Sequence, residues 1–191
     1  MEKAKNWDEA ESIQLIREMI ESTRYQLYSD RFLYFLWGYA TLICAAIHYV
    51  LAYFVGYGQP YLVWLVMPAV SVVHFVYIAK KVKKSGASTF HGRMMQGVWS
   101  GMFMAVVGLL IAATHVGWQV VYPCFMLFYG VACYATGKAI QFNPLIWGGI
   151  LGIILGVVAF FQPFQFQLLL LMVVIVVSYI LPAHLMKPVS H

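Results

Sequence analysis

Every carboxylate side chain of this 191-residue chain lies at its beginning. Seven Asp and Glu residues occur between Glu2 and Asp30, and none occurs in residues 31–191. Eight Lys and Arg residues remain in that long stretch, where they lie between apolar runs. A water-exposed surface of this size would carry acidic side chains, so residues 31–191 are predicted to lie in lipid. The chain therefore divides into a short acidic cytosolic segment, residues 1–30, and a membrane domain, residues 31–191.

Composition excludes nucleic acid as a partner. The chain is 62% hydrophobic and 10% charged, whereas soluble domains carry about 25% charged residues. The formal net charge of +5 divides into −3 for residues 1–30 and +8 for the remainder. A nucleic-acid-binding protein gathers its basic residues on one polar face instead. Cys44, Cys124 and Cys133 lie in apolar runs without CxxC spacing, so they are interpreted as packing residues.

Six apolar segments have about the 20 residues that a helix needs to cross the hydrocarbon layer. They are residues 32–55, 61–79, 97–117, 118–137, 144–162 and 166–186. Helices satisfy every backbone polar group within their own segment, which lipid requires. The predicted fold is therefore all-α: a polytopic membrane bundle of six transmembrane helices, preceded by a cytosolic amphipathic helix.

The basic residues predict the orientation of this bundle. The connections near residues 56–60, 117 and 162–165 contain no Lys or Arg. Basic residues lie in the N-terminal segment and in the alternate connections: Lys80, Lys81, Lys83, Lys84, Arg93, Lys138 and Lys187. The positive-inside rule then places both termini in the cytoplasm. Aromatic residues at the uncharged ends are interpreted as an interfacial belt: Tyr57, Tyr61, Trp64, Trp118 and Tyr122.

A recurring pattern suggests three tandem helical hairpins. Each odd-numbered span begins near a Trp and each even-numbered span closes with a Tyr ahead of a basic residue: Trp37 with Tyr77, Trp99 with Tyr134, and Trp147 with Tyr179. Three parallel repeats would surround a pseudo-threefold axis with a central site or pore. The alternative is that Trp and Tyr favour membrane interfaces, so unrelated hairpins converge on this pattern.

Two strips of small residues predict close helix packing. The first is Gly148, Gly152 and Gly156 in the fifth span; the second begins with Gly101 and Ala105 in the third span and continues to Gly108 and Ala112. Small residues let helix backbones approach where lipid offers no hydrophobic drive for association. Contacts inside the bundle are one interpretation, and an interface between copies of the chain is the other.

The ionisable residues within the predicted spans are histidines. His48 in the first span and His74 in the second are candidate ligand or gate residues, together with Pro68 and Ser71 beside His74. Pro68 cannot donate a backbone hydrogen bond to Trp64 and is expected to kink its helix. The alternative is that the histidines bond to neighbouring helices and that the proline is simply tolerated. Pairings of His48 with His115 and of His74 with His184 lack further ligands, so no metal or cofactor is predicted.

Residues 6–28 predict one amphipathic helix outside the membrane. Its apolar face contains Ile13, Ile16, Ile20 and Leu27. Its acidic character makes it a poor match for an anionic membrane surface. We expect this helix to dock on the basic connection that contains Lys80, Lys81 and Lys84, or to bind a second copy of the chain or another protein.

The acidic helix, the motif Phe35-Leu36-Trp37-Gly38 and five further spans together resemble a group of small uncharacterised bacterial six-helix inner-membrane proteins. That resemblance implies a location in the bacterial inner membrane and implies no activity. No nucleophile–base arrangement or carboxylate pair lies in the spans, so an enzyme is not expected. The predicted function is a non-enzymatic membrane module that oligomerises or binds a partner through its N-terminal helix. The alternative is a permease or channel for a neutral or apolar small molecule.

Overall fold

The structure is a computed structural model, and it describes residues 13–14, 31–85 and 90–186. In these ranges the chain forms helices joined by short turns and no strands. The α-helices are α1 (Arg31–Val50), α2 (Met67–Ser85), α3 (Phe90–Val116), α4 (Val121–Ala139), α5 (Asn143–Ala159), α6 (Phe164–Ile175) and α7 (Leu181–Leu185). The prediction of an all-helical chain is confirmed for the described residues.

Four short segments of other helical types interrupt or extend these helices. A π-helical turn, Leu51–Val55, continues α1, and another, Val176–Ile180, joins α6 to α7. Segments of 3-10 helix precede α2 (Pro60–Val66) and α4 (Trp118–Val120). Two glycines have positive φ, Gly56 at 70° after Val55 and Gly117 at 93° after α3, and they lie at two of the three uncharged turns. Glycine enters that backbone region without the steric cost that a Cβ atom imposes.

Pro68 marks the change of helix type in the second span. Proline has no N–H to donate to the carbonyl of Trp64, four residues earlier. That carbonyl accepts the N–H of Met67 instead, which is the shorter bond of a 3-10 helix. The segment is therefore 3-10 through Val66 and α-helical from Met67.

Five of the described helical segments are long and apolar enough to cross a membrane. They are Arg31–Val55, Pro60–Lys81, Arg93–Val116, Trp118–Ala139 and Phe164–Leu185. The remaining apolar helix, Asn143–Ala159, has 17 residues. At about 1.5 Å per residue it is about 26 Å long, slightly less than the roughly 30 Å hydrocarbon layer. These helices define a multi-pass membrane protein, and the sixth crossing stays a prediction.

The helices pack into an inner group with two peripheral members. The closest pair is α4 and α5, and α6 contacts both of them as well as α1. Helix α2 packs on α1, and α3 packs on α4. In an apolar stretch of 18 residues, 6% of the residues are buried in the second and in the third span. The corresponding share is 50% in the fourth and last spans. The core of the protein therefore lies among α1, α4, α5 and α6.

Glycines explain why α4 and α5 approach so closely. A Cβ atom added at Gly149 would lie 2.5 Å from the backbone nitrogen of Tyr134 and 2.7 Å from the carbonyl oxygen of Gly130. A Cβ atom added at Gly148 would lie 2.8 Å from the carbonyl oxygen of Val177. Distances below 3 Å leave no room for a side chain, so these positions need glycine. The strip predicted in the fifth span does pack inside the bundle, since Gly152 and Gly156 also face neighbouring helices.

The strip predicted in the third span does not pack inside the bundle. A Cβ atom at Gly97, Gly101 or Gly108 would meet no atom within 4 Å outside its own helical turn, and Ala105 is exposed. The inward face of α3 carries larger side chains instead, among them the half-buried Trp99. The structure therefore does not place Gly101 and Ala105 in contacts inside the bundle, which was the first interpretation. The second interpretation, an interface between copies of the chain, stays a prediction.

Trp99 packs the N-terminal part of α3 against the core. Its ring lies 6.1 Å from the ring of Tyr34 in α1 and 6.0 Å from that of Tyr179, both in edge-on geometry. Tyr179 also meets Tyr129 of α4 at 5.3 Å. This aromatic group joins four parts of the bundle at one level.

The three tryptophans of the predicted repeat occupy unlike surroundings. Trp37 donates a hydrogen bond to His74, Trp99 packs on tyrosines, and Trp147 is 68% exposed. The closest helix pair, α4 with α5, belongs to two different predicted hairpins. Three tandem hairpins stay a prediction, and they do not place these tryptophans in equivalent positions.

Most of the predicted cytosolic helix lies outside the described residues. Ile13 and Gln14 are helical, and the Ile13 side chain is exposed. The other predicted docking residues, Ile16, Ile20 and Leu27, lie outside the described ranges, as does the Lys84 side chain. Of the basic connection, Lys80 is exposed and Lys81 is half-buried at the end of α2.

Candidate functional site

Three side chains from different helices meet around His48, toward the uncharged end of the bundle. The indole Nε1 of Trp64 donates to Nδ1 of His48 at 2.9 Å and also lies 3.1 Å from the Tyr122 hydroxyl. That hydroxyl is 3.1 Å from the same histidine nitrogen. We call Trp64, His48 and Tyr122 the His48 cluster. It joins α1, the 3-10 segment before α2, and α4.

The donors of the cluster assign the protonation of His48. An indole N–H is a donor only, so the Nδ1 atom that it faces must carry a lone pair. The Tyr122 hydroxyl then donates to the same atom, and the proton of the neutral imidazole lies on Nε2. The cluster is thus an arrangement of neutral groups in which one histidine nitrogen accepts from two neighbours.

Phe164 covers the cluster from α6. Its ring lies 6.0 Å from that of His48 and 5.1 Å from that of Tyr122. His48 is 3% exposed and Tyr122 is 6% exposed. At this end, α1, the 3-10 segment before α2, α4 and α6 are therefore joined through Nδ1 of His48 and the aromatic rings around it.

The sequence placed Trp64 and Tyr122 in an interfacial belt, and the structure turns both inward. Tyr57, Tyr61 and Trp118 are exposed, as a belt requires. Trp64 is half-buried against His48, and Tyr122 is buried. The 16 and 74 residues that separate them from His48 follow no helical spacing, so sequence periodicity does not indicate these contacts.

His74 makes a second hydrogen bond between a tryptophan and a histidine in the same hairpin. The Nε1 atom of Trp37 in α1 donates to Nδ1 of His74 in α2 at 3.0 Å. The direction is reversed relative to the His48 cluster, because here α1 supplies the tryptophan. The first hairpin is thus joined near both ends by an indole that donates to an imidazole.

Pro68 and Ser71, the other residues of the predicted gate, lie in α2 with His74, and the gate stays a prediction. Pro68 is exposed, and the Ser71 hydroxyl donates to the carbonyl of Met67 in its own helix at 3.0 Å. This bond to the residue four positions earlier satisfies the hydroxyl locally. The structure therefore leaves His74 with an indole partner and turns Pro68 to the surface.

The histidine pairings considered from the sequence are absent from the described contacts. His48 meets Trp64 and Tyr122 instead of His115, which is exposed. The Nδ1 atom of His184 donates to the carbonyl oxygen of Ile180 at 2.8 Å. Across the described ranges no group of three or more His, Cys, Asp or Glu side chains is placed to hold a metal ion.

Two concavities among the described residues are open apolar grooves on the outer surface. The larger, about 450 Å³, lies between α5 and α7, and the smaller, about 200 Å³, lies between the C-terminal end of α5 and the N-terminal part of α6. Neither is lined by His48, Pro68, Ser71 or His74. His48 and His74 are instead engaged in contacts between helices, and these grooves present apolar walls.

Removing the His48 cluster should lower stability by a small, measurable amount. Hydrogen bonds between membrane helices contribute about 0.6 kcal/mol on average and at most about 1.7 kcal/mol. We expect a double-mutant cycle of His48→Phe and Trp64→Phe, measured by unfolding in mixed micelles, to show coupling of that size. His115→Phe is the matched control and should leave stability unchanged, since His115 is exposed. Additive effects of the two cluster variants would contradict the assigned hydrogen bond.

The helices and their composition define this chain as a multi-pass helical membrane protein. No protein-family model matches it, and searches of curated proteins and of solved structures find no match.

Proposed function

We propose that the chain is a non-enzymatic membrane module that self-associates through the exposed face of α3 and presents its N-terminal helix to a protein partner. The observation that carries this proposal is the open strip of small residues on α3. A Cβ atom added at Gly97, Gly101 or Gly108 would meet no atom within 4 Å. A Cβ atom added at the glycines of α5 would lie closer than that to atoms of neighbouring helices. A strip of this kind offers its backbone to a helix of a second copy.

The peripheral position of α3 supports this proposal. Helix α3 packs on α4 through one side and leaves apolar side chains exposed on the others, including Met104 and Ile111. In lipid such side chains need no cover, so exposure alone predicts no partner. Close helix contact is favoured where small residues bring backbones together, because packing and weak hydrogen bonds then contribute. The small residues of α3 therefore select one face among several exposed ones.

The double variant Gly101→Leu/Gly108→Leu tests self-association. We expect the wild-type protein to form a dimer in mild detergent and the variant to be monomeric, because leucine side chains keep two α3 helices apart. Light scattering of the protein–detergent complex gives the mass. The helix content measured by circular dichroism should stay unchanged, because both positions are open within one chain.

Val107→Leu is the matched control for that experiment. Val107 is 41% exposed on another side of the same helix, so its replacement should leave the dimer intact. A monomeric wild-type protein, or a dimer that the double variant does not weaken, would disprove the proposed interface.

The cytosolic helix and the location complete the proposal. The uneven distribution of Lys and Arg supports cytoplasmic termini, and the resemblance noted above supports the bacterial inner membrane. Reporters fused to either end should be accessible only from the cytoplasm, and periplasmic exposure of either end would contradict this orientation. The acidic amphipathic pattern of residues 6–28 then faces cytosolic proteins.

A permease or channel for a neutral small molecule stays the alternative prediction. Such a route would pass the polar groups around His74. No specific contact among the described residues favours it over a module that associates with other proteins.

A further inference from the structure

The 3-10 segment Pro60–Val66 is a lightly packed part of the second span. None of its seven residues is buried, and the hydrogen bonds of a 3-10 helix have poorer geometry than those of an α-helix. The indole of Trp64 donates to Nδ1 of His48 in α1 at 2.9 Å and lies 3.1 Å from the Tyr122 hydroxyl of α4. Trp64 therefore connects this segment to two helices of the core through hydrogen bonds.

The bond from Trp64 to His48 requires a neutral imidazole. In an imidazolium both ring nitrogens carry hydrogen and donate, so two N–H groups would face each other where the nitrogens lie 2.9 Å apart. The Tyr122 hydroxyl can rotate and accept from the protonated ring, whereas an indole is a donor only. Protonation of His48 therefore removes the bond to Trp64 and leaves Tyr122 able to keep its own.

The surroundings of His48 supply no negative charge near neutral pH. The chain has no carboxylate side chain beyond Asp30. Within the described structure, neutral side chains lie around the imidazole: Trp64 from the 3-10 segment, Tyr122 from α4, Phe164 from α6, and Cys44 and Tyr53 from α1 and the π-helical turn that follows it. Among these groups histidine alone changes its charge between about pH 5 and pH 8. A positive charge on the buried imidazole thus has no carboxylate partner there.

We propose that the His48 cluster is an acid-sensitive contact: protonation of His48 breaks its bond with Trp64 and loosens the segment Pro60–Val66 from the core. The attached state binds one proton fewer than the loosened state, because its imidazole must accept from the indole. Falling pH therefore favours the loosened state, by up to about tenfold in the equilibrium constant per pH unit. The contact lies in the second span and does not depend on self-association through α3.

Indole resonances in ¹H–¹⁵N spectra of the detergent-purified full chain test the proposal at Trp64. The variant Trp64→Phe identifies the Trp64 signal by its loss. We expect acidification from about pH 8 to about pH 5 to move the Trp64 Nε1–H resonance in one titration step, because its proton leaves the bond to His48. The variant His48→Asn is the matched comparison, since an amide oxygen accepts from an indole and does not titrate. Its Trp64 resonance should stay at one position over the same range.

Backbone hydrogen exchange of Pro60–Val66 tests whether the segment loosens. The exchange rate of the wild type is divided by that of His48→Asn at each pH, which removes the intrinsic pH dependence of exchange. We expect this ratio to rise in acid by up to about tenfold per pH unit. Trp64→Phe lacks the donor and should lose this rise. His115→Phe should behave as the wild type, since His115 is exposed and lies outside the cluster.

Three results would overturn the proposal. A Trp64 resonance that does not move between about pH 8 and about pH 5 would show that His48 stays neutral or that the bond survives its protonation. A movement that persists in His48→Asn would assign the response to another titrating group. A resonance that moves without faster exchange of Pro60–Val66 would show that the bond breaks while the segment stays in place.

Discussion

Replacing Gly149 with alanine is expected to lower the free energy of unfolding by about 1–3 kcal/mol, and replacing it with leucine by more. A Cβ atom at this position would lie 2.5 Å from the Tyr134 nitrogen and 2.8 Å from its Cα atom. These are backbone atoms of α4, so no side-chain rotation relieves the contact. The two helices must move apart and lose the close packing of Gly130 against the same turn of α5.

Unfolding by sodium dodecyl sulfate in mixed micelles measures this loss. Gly101→Ala is the matched control at protein concentrations where the chain is monomeric, because a Cβ atom there meets nothing within 4 Å in the same chain. Alanine is also the better helix former by about 0.5–1 kcal/mol, so Gly101→Ala should be as stable as the wild type or slightly more so. A Gly149→Ala protein with unchanged stability would contradict the packing of α4 on α5.

Trp99→Ala is expected to release the N-terminal part of α3 from the core. The Trp99 ring meets Tyr34 and Tyr179 edge-on at centroid distances of 6.1 and 6.0 Å. Aromatic pairs of this geometry contribute about 0.5–1.5 kcal/mol each, so the two contacts predict a loss of about 1–3 kcal/mol. The void left behind adds to the loss where α3 does not move in to fill it.

Trp147→Ala is the control for this prediction. Trp147 occupies the corresponding place in the predicted third hairpin but is 68% exposed, so its removal should change stability by less than about 0.5 kcal/mol. Both variants are measured by the same unfolding assay. Equal losses for the two tryptophans would show that Trp99 does not anchor α3.

The helical, membrane-spanning character of the chain could be predicted from its sequence. The absence of carboxylates beyond Asp30 and the length of the apolar runs are enough for this conclusion. The predicted spans agree with the described helices within three residues, except that the second helix continues six residues further, to Ser85, and the third begins seven residues earlier, at Phe90. The fifth span, predicted as residues 144–162, ends three residues earlier, at Ala159. Phe160–Gln162 form a turn before Pro163, whose fixed φ suits the start of α6.

Which surface each strip of small residues contacts could not be predicted from the sequence. Gly148–Gly152–Gly156 and Gly101–Ala105 have the same spacing, yet the first contacts neighbouring helices and the second faces outward. Spacing defines a face of a helix, and it does not define which helix that face meets. The side of α3 that packs on the core carries the larger Trp99 and lies opposite Gly101 and Ala105.

The candidate site shows the same division. His48 and His74 stood out from the sequence because ionisable residues are rare in lipid, but their partners did not. Trp64, Tyr122 and Trp37 read as interfacial residues, and they donate to the histidines only because the hairpins bring them within 3.1 Å. Tertiary packing made these contacts, since hydrogen-bond donors in lipid take the acceptors that neighbouring helices offer.

The sequence by itself determined the solvent, the helical state and the approximate ends of each span, because lipid imposes hydrogen bonding within each segment and the charges mark where a span stops. Only the tertiary structure decided which helices form the core, which strip of glycines lies open, and which side chains the two histidines accept hydrogen bonds from. Those outcomes depend on how side chains of similar hydrophobicity fit one another, and periodicity in one chain contains no information about the partner surface.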